Sequence, residues 1–173
     1  MLRILGAVLL LISGAMIGLY QSMRLASRPR QIRQLSLALQ RLETEILYGS
    51  TPLPEALRSA SIPLSYPVSN LFLDAAQGMS SITSGVSAAE SWNKAITQGW
   101  KLTFMKDPER EALHQFGSTL GISDAEDQVK HIRLAISHLL IEERNAIEDE
   151  KQYGKLWRSL SILGSALIVV IMF

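Results

Sequence analysis

Three histidines and one run of carboxylates are the side chains best placed to do chemistry in this chain of 173 residues. His131 and His138, seven residues apart, fall on one helix face, yet two turns separate them by about 10 Å, too far to share one metal ion without an added ligand. With His114 they read as ordinary surface or packing histidines. Glu142, Glu143, Glu148, Asp149 and Glu150 suit a hard cation or a basic partner, while the plainer reading is a solvated helix face balanced by Arg144 and Lys151. There is no cysteine, which removes disulfides, thiolate chemistry and cysteine metal sites. Nor is there a G-x-x-x-x-G-K-S/T loop, a G-x-G-x-x-G turn, a G-x-S-x-G elbow or an H-E-x-x-H helix. The expectation is a chain with no catalytic residue, no metal and no cofactor, which is not an enzyme.

The charges are sorted along the chain. From Arg41 to Glu150 there are 16 acidic against nine basic side chains, a net −7, and the other eight basic residues are Arg3 and two clusters beside apolar segments. Nucleic acid is an unsuitable partner for the acidic stretch, because phosphate contacts need a basic face. The basic clusters suit anionic lipid headgroups.

Those apolar segments position everything else. Ile4 to Tyr20 reads ILGAVLLLISGAMIGLY and is followed by Arg24, Arg28, Arg30 and Arg33. It covers about 25 Å as a helix, the short end of what spans a bilayer. Leu156 to Phe173, LWRSLSILGSALIVVIMF, is preceded by Lys151 and Lys155 and resembles a tail anchor. Lys and Arg beside a span stay on the cytoplasmic side, so residues 1–24 and 156–173 are expected as transmembrane helices and 25–155 as a cytoplasmic domain, with both termini outside. A cleaved signal peptide is disfavoured by the long core and the arginines that follow it. Buried helices of a soluble protein are disfavoured because each run is nearly free of charge all round. Arg158 can lay its stem along the second span and reach headgroups, and Trp157 fits the aromatic belt. Gly14 and Gly18 form a G-x-x-x-G in the first span, and Ser161 and Ser165 repeat the spacing in the second, which allows close packing against a span of this protein or of a partner.

Between the spans the pattern is helical. Ile32, Leu35, Leu39, Leu42 and Ile46 alternate steps of three and four, predicting a helix that ends near Gly49. Ser50-Thr51-Pro52 starts a short helix through Leu57. Beyond Pro63 and Pro67, Val68, Leu71, Phe72, Ala75, Ala76 and Met79 mark a third, and the serine-rich stretch Gly78 to Gly85 a turn. Ser87 with Glu90 has the capping-box spacing and opens a fourth, with Trp92 and Ile96 inward. Asp107-Pro108-Glu109 opens a fifth, with Leu113, Phe116 and Leu120 inward. Ser123 with Glu126 opens the last, which meets no proline and has Gly154 as its one obvious place to bend before the second span. Trp92 and Trp100 read as core and rim. No stretch alternates with period two, so the fold class is all-α, a small antiparallel bundle of about six helices between two transmembrane helices.

The string LETEILYGSTPLPEAL, Leu42 to Leu57, resembles the hallmark of the stage III sporulation protein AB family of endospore-forming bacteria, and LGISDAEDQVKHIRLA, Leu120 to Ala135, is similar to a second family stretch. With the two apolar segments in place, the likeness covers essentially the whole chain. That family in turn resembles the repeated cytoplasmic domain of the F-type platform protein of type II secretion and type IV pilus systems, whose G-x-x-L-x-E-A-L-like element is carried here by Gly49, Leu53, Glu55, Ala56 and Leu57. Those platform proteins have two such domains and three spans, whereas this chain has one domain and two spans.

The resemblance implies a component of the channel or secretion-like complex between mother cell and forespore, in the mother-cell membrane around the forespore. It implies as partners a secretion-type ATPase similar to stage III sporulation protein AA, other membrane subunits of that complex, membrane lipid and further copies of the chain itself. Candidate docking residues are Glu55 and Arg58, for which a local cap or internal ion pair is the plainer role, and the acidic helix Glu142 to Glu150. The rival reading is a membrane-anchored helical adaptor or sensor that recruits a signalling protein without any ATPase. An intramembrane enzyme would need paired ionisable groups within the spans, where only Arg158 occurs.

Overall fold

Ile32, Leu35, Leu39 and Leu42 are fully buried, so the apolar stripe read from their spacing is the inward face of a helix. That helix is longer than its stripe. In the computed structural model, which describes residues 2–49, 51–80, 85–121 and 124–172, α1 runs Leu2–Tyr48. It is followed by α2 (Leu53–Ser61), α3 (Val68–Ser80), α4 (Ala88–Gly99), a 3-10 turn (Trp100–Leu102), α5 (Asp107–Gly117) and α6 (Ala125–Met172). Among the described residues the chain is all-helical, with six α-helices and no strand. Pro29 lies inside α1 and removes one backbone donor from it without ending the helix.

The chain divides into two compact units, one of residues up to Pro29 with those from Arg144 onward, the other Arg30–Glu143. In the second unit, α4 packs on α3 and α5, and α3 on α2. Trp92 of α4 is fully buried, with Phe72 of α3 and Phe116 of α5 meeting it edge-on at 5.4 and 5.2 Å between ring centroids. Such T-shaped pairs set the positive edge of one ring on the negative face of another. The indole Nε1 donates to the Leu113 carbonyl at 2.8 Å, so this large ring is buried with its polar atom satisfied. Gly117 lies beside the ring, close enough that a Cβ there would overlap Trp92 Cδ1.

Polar bonds hold the α1 and α6 stretches within this unit. Gln31, nearly buried on α1, accepts from the Phe104 N–H at 2.8 Å and so holds the connection into α5. Arg33 pairs with Glu143 at 2.6 Å and Glu43 with Arg133 at 2.7 Å. Ten residues forward along α1 thus match ten backward along α6, which makes the two stretches antiparallel.

The helix starts follow local chemistry. Ser87 Oγ accepts from the Glu90 N–H at 3.1 Å. Glu109, fully buried, accepts from the Lys106 N–H at 2.9 Å, while Pro108 occupies a first-turn position that needs no donor. Two starts or stops differ from the sequence expectation. Asp124 caps α6 by accepting from the Asp127 N–H at 2.8 Å, and Ser123, read as the cap, lies outside the described residues. α2 continues past Leu57 to Ser61 because Ala60 and Ser61 are buried, and packing outweighs the weak helix propensity of serine.

The other unit rests on a close helix approach. A Cβ on Gly18 would overlap Ser161 Oγ, so α1 and α6 meet there with only hydrogen between the backbone and the serine. Ser161 Oγ donates to its own helix, to the Trp157 carbonyl at 2.8 Å. Arg28, 6% exposed, pairs with Asp149 at 3.1 Å. Met16, Ile17, Leu160, Leu163 and Leu167 are each more than 60% exposed. Among the described residues no helix is long and apolar enough to cross a membrane. The runs Ile4 to Tyr20 and Leu156 to Phe173 lie partly outside that description, the side chains of residues 2–5, 7–11, 158, 162, 165 and 169–172 included.

Two packing predictions follow the geometry. Gly117→Ala overpacks against Trp92 and is expected to cost about 1–3 kcal/mol, lowering the thermal midpoint of the full chain by several degrees in circular dichroism. Gly18→Ala should destabilise by a similar ~1–3 kcal/mol, whereas Gly164→Ala, whose added methyl meets nothing within 4 Å, should leave the midpoint unchanged or raise it.

Candidate functional site

The turn from α1 into α2 is organised by Glu45. An acid in the last turn of a helix opposes the helix dipole, so it needs another role to be there. Its two carboxylate oxygens accept from Thr51 Oγ1 at 3.2 Å and Ser59 Oγ at 3.4 Å, which folds the chain back from α1 onto α2. The Gly49 N–H closes α1 on the Glu45 carbonyl at 2.8 Å. Pro54 then sits in the first turn of α2, where a missing donor costs nothing.

This turn presents Glu55 and Arg58 on the exposed side of α2. Glu55 lies in the first turn, favoured by the dipole, and Arg58 in the last. No ion pair joins them among the described residues. Arg58 Nη2 donates instead to Ser80 Oγ at the end of α3, at 3.2 Å. Glu55 is left as surface charge beside the turn. Sequence reading singled out Glu55 and Arg58 but passed over Glu45, whose signal was its unfavourable position against the dipole.

The acidic run of α6 falls in both units. Glu142 is half-buried and Glu143 buried, with Glu143 Oε1 accepting from Arg33 Nε at 2.8 Å. Further along, Glu148 is exposed, Glu150 half-buried, and Asp149 accepts from Arg28 Nη1 at 3.1 Å. Arg28, read in the sequence as part of a collar for lipid headgroups, is therefore turned inward to a carboxylate 121 positions away. Of the collar after the first apolar run, Arg24, Arg30 and Arg33 are exposed.

The small residues read as packing positions are also placed. Gly18 and Ser161 meet each other, while Gly14 and Ser161 line an apolar cleft of about 370 Å³ with Ile17, Leu160 and Gly164. The side chain of Ser165 lies outside the described residues. The histidines are scattered: His114 Nδ1 is 2.7 Å from Asn93 Oδ1, His131 Nε2 is 3.6 Å from Asp127, and His138 is exposed. Among the described residues no group of three or more His, Asp or Glu side chains could hold a metal ion. The geometry offers exposed charge on packed helices.

Comparison with known proteins bears on the rest. The model of the family "Stage III sporulation protein AB" matches residues 3–173. A stage III sporulation protein AB of Bacillus subtilis (strain 168) is 38% identical over 172 residues, covering 99% of each chain. A solved structure of stage III sporulation protein AB (SpoIIIAB) superposes with a TM-score of 0.68 at 42% identity, covering 73% of this chain and 98% of that one. The strings at Leu42 to Leu57 and Leu120 to Ala135 pointed to the same place: the chain belongs to the stage III sporulation protein AB family.

Proposed function

We propose that the chain is a non-enzymatic membrane platform subunit of a secretion-like complex used in endospore formation. Its apolar runs lie in the mother-cell membrane around the forespore, and the domain of residues 25–155 faces the cytoplasm and docks a secretion-type ATPase similar to stage III sporulation protein AA. The observation that carries this reading is the exposed apolar surface of the first unit, where Met16, Ile17, Leu160, Leu163 and Leu167 have no protein cover. A patch of that kind is unfavourable in water and ordinary in lipid. Family membership adds the sporulation setting. Basic residues beside each run support the cytoplasmic side for the bundle, with both termini outside.

The candidate docking residues in this reading are Glu55 and Arg58 and, taken separately, the carboxylates of α6 that remain outward. Glu148 is the most exposed of these, with Glu142 and Glu150 half-buried beside it in sequence. Glu143 and Asp149 support the fold through Arg33 and Arg28 instead. Gly14, Gly18, Ser161 and Ser165 serve close packing of the spans, with each other or with other membrane subunits.

Affinity purification of the full chain in mild detergent from membranes of sporulating cells, with and without ATP, tests the proposal. Stoichiometric recovery of the ATPase is the expected result. The double variant Glu148→Lys with Glu150→Lys should lower that recovery about fivefold, roughly 1 kcal/mol, with helicity unchanged. Recovery of other channel subunits without ATPase would replace the platform reading with that of a structural subunit or adaptor.

A further inference from the structure

Within the unit Arg30–Glu143, an open groove of about 990 Å³ runs between the last turn of α1 and the first turns of α6. Its apolar lining is Ile46 and Leu47 from α1 with Val129 and Leu134 from α6. Leu47 and Leu134 remain 43% and 46% exposed, and Tyr48 beside them 85%. The fold buries the neighbouring Leu42 and Ile132 completely, so an apolar strip is left uncovered next to a closed core.

The charge around this strip is sided. Asp124, Glu126 and Asp127 line it at the start of α6. Asp124 uses one oxygen to cap the helix and Asp127 lies 3.6 Å from His131, while Glu126 is exposed and makes no ion pair among the described residues. Of the two exposed cations at the groove, Arg133 is paired with Glu43, and Lys130 makes no ion pair among the described residues. Glu126 and Lys130 have the i, i+4 spacing that favours pairing on one helix, yet they do not pair.

We propose that this groove docks an amphipathic helix of a partner protein, with lysine or arginine edging its apolar stripe where it meets Asp124, Glu126 and Asp127. The volume suits about two turns of helix, given a diameter of roughly 10 Å and a pitch of about 5.4 Å. An extended segment would find helix backbones on both walls and no strand edge to pair with. An anionic lipid headgroup would meet three carboxylates at the mouth. A helix with a basic edge satisfies both the apolar strip and the charge, and it engages a surface separate from Glu55 and Arg58.

A photo-crosslinking amino acid placed at Leu134, and separately at Leu47, in the full chain in sporulating cells tests this, with Glu111 on the exposed side of α5 as the control position. Adducts are expected from both groove positions and not from the control. Their mass-spectrometric sequence should show apolar residues at i, i+3 or i+4, and i+7, flanked by Lys or Arg. Adding Glu126→Lys should reduce the adduct about tenfold while the protein's proteolysis pattern stays that of the parent. Absence of adducts at both groove positions overturns the proposal. So does an adduct to lipid, to a second copy of this chain or to a segment without a basic edge, and so does a yield unmoved by Glu126→Lys.

Discussion

The antiparallel pairing of α1 with α6 is the constraint on which the rest of the molecule depends. In the unit Arg30–Glu143 it is registered by Arg33 with Glu143 and by Glu43 with Arg133. In the other unit the register comes from Gly18 against Ser161 and Arg28 with Asp149. The half-exposed pairs Arg33–Glu143 and Glu43–Arg133 contribute little energy, ~0–1 kcal/mol each, so their value is in selecting one sliding position over another. The burial of Ile32, Leu35, Leu39 and Leu42 supplies the larger driving force. Once that register holds, everything from Gly49 to Asp124 is an excursion that must leave one long helix and return to the other.

The excursion closes around Trp92. Its ring contacts on α3 and α5 make α4 the middle of the small-helix layer, and its bond to the Leu113 carbonyl fixes the ring's direction. Glu45 sets where the excursion departs and Asp124 where α6 begins again. Asp124 acts through a backbone N–H three positions on, and Glu45 through hydroxyls six and fourteen positions on. The groove at Leu47 and Leu134 lies near these two points, where the small helices leave α1 and α6 incompletely covered.

Local features were legible in the sequence, and long-range ones were not. The spacing of Ile32, Leu35, Leu39 and Leu42 marked a face, and that face is buried, because periodicity is a property of neighbours on one helix. Ser87 and Pro108 marked helix starts for the same reason. The inward turn of Arg28 was hidden, since nothing within several residues of it announces Asp149. Glu143 likewise read as part of an acidic face until Arg33 claimed it. Of the candidate site, Glu55 and Arg58 were found through a motif, whereas Glu45, which shapes the turn presenting them, contributes through hydroxyls six and fourteen positions later.

The register of α1 against α6 also sets a timetable for synthesis. Arg33 and Glu143 stand 110 positions apart. A ribosome adding roughly 5–20 residues per second takes on the order of 5–20 s to cover that distance. For most of that interval the α6 partners of Arg33 and Glu43 have not yet been made. The unit therefore cannot acquire its final α1–α6 register until its last helix emerges.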